Sequence, residues 1–538
     1  MPSHDDEPCD GRLDGVAGDA MDRLDRRAYL GGVAAVTTAL AGCSSSSDDG
    51  PTVTAPPTET GAPADTEPST ATGTPDPVLT GLAVGADPVR QTRSFVVSVD
   101  FANEGAAAET AVTLTVDEET ADTTRVTVDA DASRSVEFEL RLPRIGEHGL
   151  RATLTAAGEE RDRTSTTVTV ERYPRFVGRQ GTDFVVDGDP FRYAGVNNNH
   201  LPVRPWGRQY VDRLLDYVAD RGISVVRTWG FPPAWTDAEV HPAPGEFRDD
   251  WFTHFDYVLL AAKRRGIRLV LPLINNWHGP DHAPGPAAYA RWSDTAEKKN
   301  DFFEDEQATQ HYYDYIEHVL THENQYTGVE YRDDPTVLLW EVGNQMEYHG
   351  ERRGEPLTGW YDAAARHIKS IDDTHLVGTG MAGAMGDVYE RWNVRNAYVE
   401  THRSDAIDAC CFHTYPVKRW QGETTVRDQD DFAEFVRTHI DEAHEQVGKP
   451  VYFGEFGAVV DPPADLPVSK RNEFFRTGTR VGREEGLNGV QFWFAELRDP
   501  KDNGSRRDHQ DNPLAIFPNE TSTWEVISDY AGDVSGGE

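Results

Sequence analysis

Polar and aromatic side chains follow a series of short apolar runs from residue 191 onwards, each at the point where a run ends. These side chains belong to Asn197 and Asn198, Arg227 and Trp229, Asn275, Asn276 and Trp277, Asn344 and Gln345, His413 and Tyr415, Glu455, and Trp493. Amide and carboxylate groups suit the hydroxyl edges of a sugar ring, and indole and phenol faces suit its C–H faces. A single Trp is more often a packing residue, but so many agreeing positions indicate a carbohydrate site.

The same set of residues argues against other kinds of chemistry. It contains one clear carboxylate, Glu455, and the chain has neither paired Cys/His metal spacing nor a GxGxxG loop. We therefore expect no cofactor and no metal, and a polysaccharide as the partner.

Strand-like and helix-like runs alternate across residues 173–532 and must position these side chains. The strand-like runs are FRYAGVN, ISVVRTWG, IRLVLPLINNW, PTVLLWEVGNQ, THLVGTG, DACCFHTYP, PVYFGEFG and LNGVQFWFAE. Amphipathic stretches such as RQYVDRLLDYVADRG separate them, which is typical of a parallel sheet covered by helices. Eight such units predict an α/β fold, a (β/α)₈ TIM barrel, whose chemistry lies at the carboxyl ends of the strands.

Residues 78–172 change to period-two alternation. SFVVSVDF, AVTLTVDE, TRVTVDA, RSVEFELRL, GLRATLTAAG and TSTTVTVE are strand-length segments separated by acidic and Gly-rich turns. They predict a small all-β immunoglobulin-like sandwich. No aromatic row suited to stacking on sugar is evident, so we expect a spacer.

Residues 1–43 have the pattern of an export signal. Arg26 and Arg27 precede a short apolar stretch, and LAGC ends at Cys43. This resembles a twin-arginine signal with a lipobox, in which Cys43 is lipidated and anchors the protein outside the cell. Met21 is an alternative start. Residues 44–77, rich in Ser, Thr and Pro, predict a disordered linker.

Acidic residues dominate the whole chain, which has 92 Asp and Glu against 52 Lys and Arg and a net charge of −40. Such a surface repels nucleic acid and anionic lipid, so the lipid anchor is the only membrane contact we expect. The composition resembles that of halophilic archaeal proteins. The four cysteines show no disulfide framework, and we expect a monomer.

Seven motifs resemble those of glycoside hydrolase family 5, a retaining family of clan A, and most closely its β-mannanase branch. The resemblance covers roughly Arg175 to Tyr530 and rests on AGVNNNHL, VVRTWGF, LPLINNW, ENQYTGVEYRDDPTVLLWEVGNQ, IDACCFHTYP, PVYFGEFG and GVQFWFAE. It implies a hydrolase that acts on a β-1,4-linked polysaccharide, with mannan as the expected substrate.

The resemblance also implies roles for individual residues. Glu455 would attack the anomeric carbon, and Arg227 would keep it ionised. Tyr415 and His413 would help to fix the carboxylate. Sugar contacts are implied or expected for Asn344 (at the 2-hydroxyl), Trp493 (as the floor of a subsite), Trp277, Trp229 and Asn198.

Gln345 departs from the family pattern, which has Asn-Glu where this chain has Asn344-Gln345. A Gln side chain cannot give a proton to the leaving oxygen or take one from water, and such help is typically worth roughly 10²–10⁴-fold. Four explanations stay open: a substitute acid, a leaving group that needs no protonation or a mainly sugar-transferring enzyme, a catalytically dead site that binds glycan, and a misread register. The substitute acids considered are Glu347, Glu341 and Glu496, of which Glu341 is expected to be structural. We expect a secreted hydrolase, and the alternative is a catalytically impaired glycan-binding surface protein.

Overall fold

The computed structural model describes residues 74–234, 236, 239–348, 355–383, 397–420, 423–460, 467–497 and 514–534. The predicted signal, the lipidation position Cys43 and nearly all of the predicted linker lie outside these residues. The chain divides into two compact units, with the boundary between Arg172 and Tyr173. Within the described part of the chain, no helix combines the length and apolar character needed to cross a bilayer.

The first unit contains eight strands in two sheets. The strands are β1 (Pro77–Val84), β2 (Val89–Arg90), β3 (Phe95–Asn103), β4 (Ala108–Val116), β5 (Glu119–Val128), β6 (Ala132–Leu140), β7 (Gly146–Ala156) and β8 (Glu159–Glu171). One sheet has the order β1-β3-β6, and the other has the order β2-β8-β7-β4-β5.

Alternation along the strands explains how the two sheets share one core. In β3, Val97, Val99 and Phe101 are fully buried, whereas the residues between them are partly exposed. They join Val112 and Leu114 of β4 in a single hydrophobic cluster that draws on both sheets. Each of the six predicted segments overlaps one of the strands β3 to β8. The strands β1 and β2 were not among those segments.

The second unit is a closed barrel of parallel strands. Its eight strands are β12 (Tyr193–Asn197), β13 (Val225–Arg227), β14 (Arg268–Pro272), β15 (Val337–Glu341), β16 (Leu376–Gly378), β17 (Cys410–Trp420), β19 (Val451–Ala458) and β20 (Gly489–Phe492). They are hydrogen-bonded in the order β16-β15-β14-β13-β12-β20-β19-β17, and a parallel bridge between Gly378 and Ala409 closes the ring. A short strand β18 (Glu423–Val426) pairs antiparallel with the end of β17. Six of these strands lie within predicted strand-like runs, and β17 and β19 begin within one and extend past its end, so the TIM-barrel prediction is confirmed.

Helices lie between the strands and supply the outer layer. They are α1 (Gly207–Ala219), α2 (Asp249–Arg265), α3 (Pro286–Trp292), α4 (Glu306–Leu320), α5 (Glu355–Ile371), α6 (Ala397–His402), α7 (Gln429–Asp441), α8 (Val468–Glu484) and α9 (Thr521–Val534). In α1 the buried side chains Tyr210, Val211, Leu214, Leu215 and Val218 recur at helical spacing on one face. Helix α2 ends at Gly266, whose φ of 71° is the left-handed conformation that glycine adopts without strain.

A small antiparallel sheet covers the amino-terminal end of the barrel. It is formed by β9 (Gly178–Gln180), β10 (Asp183–Val186) and β11 (Asp189–Pro190). Phe184 is fully buried there, with ring centroids 6.5 Å from Tyr193 and 6.4 Å from Tyr452. The barrel is therefore closed at that end, and the polar strand ends lie at the opposite rim.

Candidate active site

Arg227, the last residue of β13, organises the centre of the rim. Its guanidinium is fully buried, and its nitrogens reach four side chains. Nε and Nη2 donate to Glu341 of β15 at 2.7–3.1 Å, and Nη1 donates to Glu455 of β19 at 2.9 Å. The remaining donors go to Asn197 at 3.1 Å and Asn344 at 2.7 Å. One cation thus holds two buried carboxylates and two amides in fixed positions.

Glu455 lies in the middle of β19 with 3% of its surface exposed. Arg227 donates to its Oε1, and the Tyr415 hydroxyl donates to its Oε2. Burial raises the pKa of this carboxyl, whereas the charge of Arg227 and the Tyr415 hydrogen bond lower it. A carboxylate held by a cation and a phenol at the rim of a barrel is equipped to act as a nucleophile.

Glycines on both sides of Glu455 allow its neighbours to approach closely. A Cβ at Gly454 would lie 2.6 Å from Nε2 of His413, and one at Gly457 would lie 2.7 Å from the Tyr415 ring and 3.3 Å from Cβ of Trp493. The motif GEFG therefore lets His413 and Tyr415 pack against the strand that carries Glu455, with Trp493 beside Gly457.

Gln345 lies beyond the end of β15 in the left-handed region, with φ 51°. Its Oε1 accepts a hydrogen bond from Nε1 of Trp277 at 2.7 Å, and its Nε2 lies 2.8 Å from Nδ1 of His413. An indole N–H can only donate, which fixes the oxygen of the amide on the Trp277 side and the NH₂ on the His413 side. Nδ1 of His413 must then accept.

His413 is consequently held in its neutral form. Burial lowers the pKa of this imidazole well below its usual value, and the charge of Arg227 lowers it further. Its Nδ1 also lies 3.4 Å from Oε2 of Glu455. An imidazole that is neutral and already accepting at Nδ1 has no proton to supply from that atom.

The same imidazole nitrogen sets a limit on the separation of Gln345 and Glu455. Nε2 of Gln345 and Oε2 of Glu455 can lie no farther apart than their two distances to Nδ1, 2.8 Å and 3.4 Å, laid end to end. That limit falls below the roughly 6.5–9.5 Å between the carboxyl groups of inverting glycosidases and admits the roughly 5–5.5 Å of retaining ones. The limit is thus compatible with the spacing of a retaining pair in which one member is an amide.

Asn344 is aligned on the other side of Arg227. Its Oδ1 accepts from Arg227, and its Nδ2 donates to Oδ1 of Asn275 at 3.0 Å. One of the two Nδ2 hydrogens is used in this way, and the second is left for another acceptor. This fits the sugar-contacting role predicted from the sequence.

The three Trp side chains predicted as sugar contacts differ in their surroundings. Trp277 is the most exposed of them at 49%, and Trp493 and Trp229 are partly buried. Trp229 stacks on Phe231 with the ring centroids 5.4 Å apart. Trp277 donates to Gln345, and Cβ of Trp493 lies beside Gly457, two residues after Glu455.

Asn198 is a correction to the predicted set of sugar contacts. Its side chain is fully buried, and its Nδ2 donates to the Tyr210 hydroxyl at 3.0 Å and to the Ala495 carbonyl at 2.8 Å. Its Oδ1 accepts from the backbone N–H groups of His200 and Leu201. Both amide hydrogens and both oxygen lone pairs are used within the protein, so Asn198 ties the end of β12 to its neighbours.

The acids considered as substitutes for Gln345 have other partners. Glu341 is fully buried and bound by Arg227 and by the Tyr452 hydroxyl at 2.9 Å, in agreement with the structural role expected for it. Glu496 lies 3.0 Å from Nδ1 of His200.

Glu347 is buried at 3% exposure, and its charge acts on Lys299 and on Tyr361 of α5. The structure therefore places the charge of Glu347 close to residues of the outer layer.

Tyr452 contributes to the site without having been predicted, and Asn197, which was predicted at the rim without an individual role, proves to be a positioning residue. Tyr452 holds Glu341, and Asn197 holds Arg227 and also donates to the Gly454 carbonyl at 2.9 Å. The place of Asn197 at the end of the first strand is the signal that put it in the predicted rim set. Tyr452 lies inside an apolar run, and no sequence signal distinguishes it from a core residue. In the described residues no group of three or more His, Cys, Asp or Glu side chains is arranged to hold a metal ion.

Comparisons with known proteins agree with this geometry. Residues 174–531 match the family described as GH family 5 beta-mannosidase-like. Mannan endo-1,4-beta-mannosidase 5 of Arabidopsis thaliana is 31% identical over 56% of this chain and 73% of its own length. A rice protein (Oryza sativa subsp. japonica) provisionally given the same name is 35% identical, and the match spans 60% of its length and 52% of this chain.

Solved structures give the same result. The endo-beta-1,4-mannanase from Thermotoga petrophila is 27% identical, with a TM-score of 0.56, and the match covers 65% of this chain and 78% of the bacterial one. The endo-1,4-beta-mannanase from Rhizomucor miehei, at 23% identity and a TM-score of 0.56, shares the fold over 67% of this chain and 100% of the fungal one.

Proposed function

The chain belongs to the GH family 5 beta-mannosidase-like family, and on that premise we propose that it is a retaining glycoside hydrolase acting on β-1,4-linked mannan. The observation that carries the proposal is the placement of Glu455. It is buried, bound by Arg227 and Tyr415, and separated from Gln345 by a distance that suits a retaining mechanism.

Glu455 attacks the anomeric carbon in this proposal and forms a covalent glycosyl-enzyme. Arg227 stabilises the ionised carboxylate, and the Tyr415 hydroxyl directs Oε2 toward the sugar. The free Nδ2 hydrogen of Asn344 binds the 2-hydroxyl, a contact that strengthens as oxocarbenium character develops. Trp493 supplies the floor of the subsite.

Gln345 limits the rate of both chemical steps. The leaving sugar of mannan is a basic alkoxide that needs a proton, and the second step needs a base to deprotonate water. Because Gln345 can act neither as the acid nor as the base, we expect the wild-type chain to cleave mannan roughly 10²–10⁴-fold more slowly than a variant with a carboxylic acid at this position. The same observation favours a second candidate function, a glycan-binding surface protein that uses the rim without cleavage.

Release of reducing ends from β-1,4-mannan, measured at high salt, separates the two candidates. Wild type, Gln345→Glu and Glu455→Gln are compared, together with binding of each to insoluble mannan. We expect slow cleavage by wild type, fast cleavage by Gln345→Glu and none by Glu455→Gln. If wild type binds mannan and releases no ends while Gln345→Glu does, the binding function is correct. If Gln345→Glu is also inactive on mannan, the hydrolase proposal fails.

The rest of the chain supports an extracellular setting. The pair Arg26-Arg27 and the LAGC sequence ending at Cys43 support twin-arginine export and lipid anchoring, with residues 44–77 as a linker. A Cys43→Ser variant should then leave the membrane fraction. The net charge of −40 supports a halophilic archaeal source and a function in high salt, and we propose that the protein acts as a monomer.

The strand order of the first unit, with β2 parallel to β8, supports an immunoglobulin-like sandwich. We propose that it serves as a spacer between the linker and the catalytic barrel.

A further inference from the structure

The hydrogen bonds of Gln345 define what this position can still do for a leaving group. Its Oε1 is occupied by the Trp277 indole, and one Nε2 hydrogen is directed at Nδ1 of His413. The second Nε2 hydrogen is left for another acceptor. Gln345 can therefore stabilise a departing oxygen by a hydrogen bond, although it cannot transfer a proton to it.

Among the residues that the structure describes, three groups that could have supplied the missing proton are engaged elsewhere. His413 accepts at Nδ1, Glu341 is enclosed by Arg227 and Tyr452, and Glu496 lies against His200. Bonds whose oxygen leaves readily as an anion should therefore break, and bonds to an alkyl alcohol should break slowly.

Trp277 indicates what kind of acidic leaving group fits. The acid position of a glycosidase lies on the side of the leaving group, and Trp277 is bonded to Gln345, so its half-exposed ring borders that side. Aromatic rings stack on such a surface. A phosphate would depart with more negative charge and would be repelled by a chain of net charge −40. A neutral phenolic aglycone can stack on Trp277, and it avoids the charge repulsion that a phosphate would meet.

We infer that the donors which this site turns over well are aryl β-mannosides, sugars linked to a phenolic oxygen, with the aglycone stacked on Trp277. The inference rests on the proposed function, because it requires Glu455 as the nucleophile.

The two steps balance without a proton donor in the first. A lone pair of Glu455 forms the bond to C1, and the C1–O bond breaks with its electron pair on the phenolate, which accepts the Nε2–H hydrogen bond of Gln345. In the second step water attacks C1, the ester electron pair returns to Glu455, and the extra proton is lost to solvent. That step is slow without a base. A small anion such as azide has no proton to lose and takes the place of water, giving the β-glycosyl azide.

The test is a series of β-mannosides whose leaving groups run from 2,4-dinitrophenol through phenol to an alkyl alcohol. For wild type we expect kcat/KM to fall roughly 10²–10⁴-fold from the dinitrophenyl to the phenyl member, and azide to speed turnover of the dinitrophenyl substrate. For Gln345→Glu we expect less than about a tenfold fall and no azide product. A flat series in wild type overturns the inference.

Trp277 is tested by a matched pair of substitutions. Trp277→Phe keeps an aromatic face and loses the N–H, and Trp277→Leu loses both. We expect Trp277→Leu alone to lose about three- to tenfold in the preference for phenyl over alkyl mannoside of equal leaving-group acidity. An unchanged preference in Trp277→Leu shows that the aromatic aglycone is wrong.

A trapping experiment separates failure of this inference from failure of the proposed function. A 2-fluoro mannosyl fluoride should leave a covalent ester on Glu455 in both wild type and Gln345→Glu, detected by peptide mass. If neither forms the ester, the proposed function fails together with the inference. If both form it and the wild-type series is flat, only the inference fails.

Discussion

Replacement of Arg227 by Met tests whether one cation holds the site together. All five N–H groups of Arg227 are used, on Glu341, Glu455, Asn197 and Asn344. Its removal leaves two buried carboxylates without a countercharge, and an uncompensated buried pair typically costs about 3–5 kcal/mol. We expect a loss of that size in the free energy of unfolding at neutral pH. Arg227→Lys keeps the charge, lacks the planar fork, and should lose less.

The sign of the pH dependence follows from the same contacts. Burial already raises the pKa of Glu455, and loss of the Arg227 charge, which lowers that pKa, should raise it further above its value in the unfolded chain. A carboxyl group with a raised pKa in the folded state destabilises the fold as the pH rises through its unfolded-state pKa, and the full penalty is present above the raised pKa. The deficit of Arg227→Met should therefore be largest at neutral pH and shrink as the pH falls.

Tryptophan fluorescence during urea unfolding at constant high salt measures this loss. All 12 tryptophans lie after residue 200, so the fluorescence signal reports unfolding of the barrel and not of the first unit. A loss of less than about 1 kcal/mol at neutral pH, or a deficit that grows at low pH, would refute the argument, because either result means that the two carboxylates do not depend on Arg227.

Further substitutions follow from the surroundings of Glu455. Burial raises the pKa of Glu455, so the wild-type rate should fall at low pH as this carboxylate is protonated, and Gln345 should cause no fall at high pH. Gln345→Glu should add a fall in rate at high pH, where the new acid loses its proton. Profiles of kcat/KM against pH on an activated substrate measure both effects. Gly457→Ala places a methyl 2.7 Å from the Tyr415 ring and should reduce kcat at least about tenfold by displacing the hydroxyl from Glu455. The control is Gly359→Ala, because Gly359 is exposed in α5 and an added Cβ would have nothing within 4 Å. We expect this variant to stabilise the chain by about 0.5–1 kcal/mol and to leave kcat unchanged. A melting curve and an activity assay measure the two effects.

The barrel could be predicted because each of its strands is an apolar run followed by polar residues. This pattern predicts that Arg227, Asn344, His413 and Glu455 lie at one rim, since the carboxyl ends of parallel strands meet at the same edge. The short strand β2, two residues long, carries too little alternation to be recognised.

The direction of side chains beyond the strand ends could not be predicted in the same way. Asn198 and Asn197 are neighbours at the end of β12, yet Asn197 binds Arg227, and Asn198 turns to Tyr210 and Ala495. Gln345 lies four residues past β15 with a positive φ. Period-two alternation has ended there, so the placement of Glu347 could not be inferred from its spacing to Gln345.

The energetic cost of the Glu455 site favours covalent chemistry over binding alone. Burying an ionised carboxylate beside a guanidinium rarely stabilises a fold relative to apolar residues of the same volume. A protein that only held a glycan would gain as much from a neutral amide, which hydrogen-bonds hydroxyl groups without the desolvation of a charge. Tyr415 and Arg227 both donate to Glu455, and that arrangement lowers the pKa of a group that burial raises. A Glu455 carboxylate that stays ionised despite its burial serves a reaction in which its oxygen attacks as a nucleophile. Gln in place of the family's Glu at position 345 removes the proton transfer and leaves that nucleophile in place.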